Sequence, residues 1–75
     1  MQLTDVLIHI SEPLEINDYQ VLETKLRNIN GVIAPRFNQK KPNLLFIAYN
    51  AEETNSSKLL SHVKAKHLNA SLIGM

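Results

Sequence analysis

The chain contains no cysteine. That excludes disulfides, thiolate metal sites, redox dithiols and cysteine nucleophiles. Tryptophan is missing too, and the aromatic residues are only Tyr19, Phe37, Phe46 and Tyr49. They are too few for an obvious base-stacking platform. Two glycines and three prolines are too few for a low-complexity or disordered chain. No apolar run approaches the roughly 18 residues of a membrane span. Nor is there a large excess of either charge: the formal net charge is +1. Nucleic-acid binders carry a far stronger basic patch. Neither nucleic-acid binding nor membrane insertion is expected.

What is present is a chain of 75 residues, 44% of them hydrophobic. One domain over residues 1–75 is expected, because a second would have no core of its own. A chain of this size buries only about 60% of its unfolded surface, so it needs an idealised fold or a partner. The charge is uneven. Residues 1–35 hold two basic and five acidic groups, and residues 36–75 hold six and two. Such a dipole can orient an encounter with a charged partner. Met1-Gln2-Leu3-Thr4-Asp5 lacks the basic and apolar regions of a signal peptide, so a cytoplasmic protein is expected. Without secretion, the glycosylation patterns at Asn55-Ser56-Ser57 and Asn69-Ala70-Ser71 are chance matches.

Val6, Ile8 and Ile10 alternate with Leu7 and His9, the period of a half-buried strand. Asn17 to Gln20 reads as a capping box with Asn17 at the cap. Tyr19, Leu22, Leu26 and Ile29 follow along one helix face, and Asn28, Asn30 and Gly31 close that helix. Val32 to Asn38 reads as a second strand, placed at an edge because Pro35 lacks a ladder donor. Residues 39–43 form a hairpin loop. Leu44 to Tyr49 is apolar at every position, as a central strand would be. Asn55 or Ser56 can cap a second helix, with Leu59, Leu60 and Val63 inward. Ala70 to Ile73 gives a last short strand.

The order β-α-β-β-α-β predicts an α+β, ferredoxin-like fold. It places four antiparallel strands in the order 4-1-3-2, with two helices on one face.

The spacing is tighter than that topology alone requires, and it resembles the heavy-metal-associated domain of copper chaperones and copper-transporting ATPases. Leu22-Glu23 matches the family's hydrophobic-Glu pair, and Gly31-Val32 its Gly-Val. Leu26 and Ile29 match the next inward positions, and Phe37-Asn38 fits the end of the second strand. Ile47-Ala48-Tyr49-Asn50 is similar to the alternating strand that ends in Tyr-Asp. The resemblance implies the fold for nearly the whole chain. It also implies that the family's two metal-binding cysteines fall on Glu15 and Asp18, and its Gly-Met-x on Glu12-Pro13-Leu14. His67-Leu68 stands where the family often has Gly-Tyr. Cu(I) selects thiolate or thioether donors, and this loop has neither, so no Cu(I) binding by thiolate is expected.

A harder cation is the alternative for that loop, with Glu15, Asp18 and His67 as ligands. Two carboxylates fall well short of the six to eight oxygens Ca²⁺ takes, and a first-turn acid is favoured there by the helix dipole alone. His62 and His67 are five apart, not the four of helical zinc sites, and His9 alternates away from the helices. No cofactor is expected. No nucleophile triad or phosphate-cradling glycine loop is legible, so the chain is not expected to be an enzyme.

The sheet face is the more useful feature. If Leu45, Ile47 and Tyr49 face the helices, then Leu44, Phe46 and Ala48 face away, joined by Leu7 and Ile73 on the neighbouring strands. An apolar patch of this kind marks a partner surface. The expected function is a non-catalytic binding module acting by protein–protein contact, with itself or another protein, through Leu7, Leu44, Phe46 and Ile73. One alternative is metal handling by carboxylate and His ligands. Another is a small-ligand sensor of the ACT type, which shares the element order.

Overall fold

The computed structural model describes residues 2–38, 40–65 and 69–73. Six elements follow in the expected order: β1 (Leu3–Ile10), α1 (Ile16–Arg27), β2 (Val32–Phe37), β3 (Leu44–Asn50), α2 (Ser56–Lys64) and β4 (Ala70–Leu72). The sheet order is β2-β3-β1-β4, and every pairing is antiparallel. This is the ferredoxin-like arrangement anticipated from sequence.

Alternation sorts the strands into two faces. Val6, Ile8 and Ile10 of β1 and Leu45, Ile47 and Tyr49 of β3 are buried. They meet Leu22 and Leu26 of α1 and Leu59 and Val63 of α2 in one core, so both helices cover the same face. The alternate residues of β1 and β3 line an opposite, open face. Tyr19 and Phe37 extend the core at its rim, ring centroids 4.6 Å apart and edge to face. Such a pair contributes about 0.5–1.5 kcal/mol beyond its buried area.

The start of α1 differs from expectation. The cap is Glu15, not Asn17, and the helix begins at Ile16. Asp18 occupies the third helical position, and its Oδ2 accepts from the Glu15 backbone N–H at 3.2 Å. A carboxylate placed there satisfies a donor and sits at the positive end of the helix dipole, an advantage that a box built on Asn17 would forfeit. The far end also differs. Asn28 is the C-cap, and Gly31 lies three residues beyond, at φ +96°.

Gly31 is required by both conformation and space. A Cβ there would lie 2.8 Å from Glu53 Cβ and 3.1 Å from Thr54 Cγ2. The loop after α1 therefore packs directly on the turn after β3, where Asn50 donates its N–H to the Gly31 carbonyl at 2.7 Å. Gly31→Ala is expected to cost about 1–3 kcal/mol, read as a lowered urea midpoint. An unchanged midpoint would mean that the turn yields freely.

Asn55 caps α2 as anticipated, its Oδ1 accepting from the Lys58 N–H at 2.9 Å. Just before it, Thr54 is buried, and its Oγ1 has no hydrogen-bond partner among the described residues. Burying an unpaired hydroxyl costs roughly 1–3 kcal/mol. Thr54→Val, nearly isosteric, is expected to raise stability by about 1 kcal/mol in the same assay. A loss of that size would instead assign the hydroxyl a partner.

β2 is an edge strand, as Pro35 required. Its pairing with β3 slips between Val32 and Ala34, a bulge that leaves Ile33 exposed. Pro35 itself is fully buried opposite Ile47, on the helix side of the sheet.

Candidate interaction surface

The register of the sheet builds the open face residue by residue. Leu7 on β1 pairs with Phe46 on β3, and Phe46 pairs with Arg36 on β2. On the other side of Leu7, the Ile73 N–H donates to the Leu7 carbonyl at 2.9 Å. Arg36, Phe46 and Leu7 thus form one row across β2, β3 and β1, continued by Ile73, which follows the last residue of β4. Leu44 lies in the next row, opposite His9, and Ala48 in the row on the other side, opposite Asp5 and Ala34. Phe46 is 42% exposed, whereas Leu7, Leu44, Ala48 and Ile73 are half-buried by their neighbours. The face is therefore an apolar strip bordered by Asp5, His9, Arg36 and Ser71. All four residues singled out from sequence (Leu7, Leu44, Phe46 and Ile73) are brought together here.

Leu3 was missed. It is 62% exposed and sits opposite Asn50, on the same face as Leu7. The strand was expected to begin near Val6, but extending its alternation back by two steps would have found Leu3.

The residues considered for a cation fare differently. Glu15 and Asp18 flank the start of α1, and Asp18 is already engaged with the Glu15 backbone. Their intended third member, His67, lies outside the described residues. Among the described residues, no three His, Cys, Asp or Glu side chains come together as a metal site would need. His9 is half-buried on the open face, and His62 is half-buried on α2.

Among the described residues, clefts also lie beside the sheet. One, of about 600 Å³, runs between α1 and the β2–β3 hairpin, lined by Tyr19, Glu23, Arg36, Phe37, Asn38 and Pro42. Another, of about 390 Å³, lies where β1 and β3 meet the start of α2, lined by Thr4, Asp5, Val6, Tyr49, Ser56, Leu72 and Ile73. Among the described residues, no helix is long and apolar enough to cross a membrane.

No family model matches the chain, and no curated protein matches it. Solved structures do. The N-terminal domain of a potential copper-translocating P-type ATPase from Bacillus subtilis, in its Cu(I)-loaded state, superposes with a TM-score of 0.84 at 20% identity. That likeness covers 97% of this chain and 90% of the other. Oxidized MerP from Ralstonia metallidurans CH34 gives 0.82 at 10% identity, covering 96% and 99%. A copper transporter domain from yeast gives 0.81 at 13% identity, covering 93% and 94%. The chain therefore has the fold of the heavy-metal-associated domains over nearly its whole length, without a Cys-x-x-Cys motif.

Proposed function

We propose that this chain is a non-catalytic binding module of the cytoplasm, a single domain that works by protein–protein contact through the open face of its sheet. The observation that carries the reading is the row Ile73, Leu7 and Phe46, with Leu44 and Leu3 beside it, on the side of the sheet the helices leave uncovered. A sheet face that only met water would carry polar residues at these positions. An aromatic residue at the centre of an apolar patch is the usual anchor of a protein interface. The metal-carrying role of the structural neighbours does not transfer by thiolate chemistry, because the chain has no cysteine.

The test compares proteins retained by the wild-type chain and by Phe46→Glu, with Lys58→Glu on α2 as a control. Phe46 is exposed, so the variant is expected to fold with an unchanged melting temperature. Loss of a buried anchor costs 2 kcal/mol or more, which is more than tenfold in affinity. The expected result is a contact, with a copy of itself or another protein, that Phe46→Glu weakens by at least tenfold and Lys58→Glu leaves intact. If every contact survives Phe46→Glu, the open face is not the binding surface.

A further inference from the structure

We infer that the occupant of the open face is a second copy of this chain, a deduction that rests on the reading above. The first support is charge. Arg36 stands at the β2 end of the apolar row and Asp5 on β1 one row away, on the other side of Phe46. Both are exposed, and neither pairs with an opposite charge among the described residues. A two-fold axis lying between two such faces sets Phe46 over the partner's Leu7. It also carries Arg36 toward the partner's Asp5, and Asp5 toward the partner's Arg36. A single unlike-charged pair on one face becomes two ion pairs across an isologous interface. Complementary charges of this kind fix the register of an encounter and penalise other partners.

The second support comes from the edge of the sheet. The bulge at Ile33 and the proline at position 35 spoil the ladder that a second chain would need to add alongside β2. Copies are steered away from edge-to-edge pairing there and toward stacking by their faces. Two stacked sheets pack about 10 Å apart, within reach of an extended arginine.

The size of the face sets the strength. Four strands about 4.8 Å apart and about 20 Å long outline roughly 400 Å². A stable complex buries about 800 Å² per partner. The pair is therefore a weak dimer in rapid exchange, formed between ~10 µM and ~1 mM.

Sedimentation equilibrium of the full chain over that concentration range tests this. The wild-type mass is expected to rise from one chain toward two. Asp5→Arg alone and Arg36→Asp alone each place like charges together at both ends of the interface, and each is expected to keep the mass of one chain. Mixed in equal amounts, the two variants put an arginine opposite an aspartate in both pairs, so the mass rises again. Recovery on mixing is not expected of damage to folding, which circular dichroism of each variant checks separately. A wild-type chain of single mass up to ~1 mM, or a mixture no heavier than its components, overturns the second copy as occupant. If a different protein is still held through Phe46, the broader reading of the face stands without it.

Discussion

Ile47→Ala is expected to cost about 2–5 kcal/mol, while Phe46→Ala, one residue earlier, costs less than about 1 kcal/mol. Ile47 is fully buried between the sheet and both helices, so truncation leaves a cavity that its packed neighbours cannot close. Phe46 points the other way and is 42% exposed, so its truncation opens no enclosed cavity. A chain of 75 residues has roughly 4–11 kcal/mol of total stability at ordinary values per residue, so the Ile47 variant is expected to approach unfolding at 37 °C. Urea denaturation of the two variants at low protein concentration reads the difference. Equal losses would mean that Phe46 belongs to a second buried layer, and the open face would have to be abandoned.

The second large effect concerns the start of α1. Glu15→Cys together with Asp18→Cys is expected to turn a chain that retains no Cu(I) into one that holds about one equivalent against a chromogenic chelator. Glu15 is the helix cap and Asp18 the third helical residue, close enough that the Asp18 carboxylate reaches the Glu15 N–H. Thiolates at these positions are soft donors, and the helix N-terminus favours their charged form. The substitution also removes the Asp18 cap, so a loss of about 1 kcal/mol in stability accompanies the gain. Failure to hold Cu(I) in a chain that remains folded would show that the loop geometry, and not only the ligand chemistry, departs from the metal-binding neighbours.

Much of the fold was legible because period and special residues agreed. β1 alternates cleanly from Val6 to Ile10, Asn55 carries the oxygen a cap needs, and Pro35 can only sit where its missing N–H is not required. The start of α1 was not legible, since Glu is a poor signal for a cap. Asp18 works there by folding back onto the Glu15 backbone, and Ile16 stays 77% exposed at the first helical position. The bulge at Ile33 was not legible because a β-branched residue looks the same paired or unpaired. The packing of Gly31 against Glu53 and Thr54 joins residues more than twenty apart, and no local pattern reports such a contact. On the open face the apolar residues were visible as the odd half of an apolar run. Arg36 and Asp5 were not, because only the strand register places them beside Phe46 and Ala48.

The most direct test of the open face as the working surface is a map of backbone amide shifts as the chain engages its partner, whether by self-titration from ~10 µM to ~1 mM or by addition of a captured protein. The shifts are predicted to concentrate at Leu7, Leu44, Phe46 and Ile73, with Asp5 and Arg36 at the margins and little change at Glu15 and Asp18. Shifts centred on the start of α1, with the β3 amides unmoved, would contradict the account.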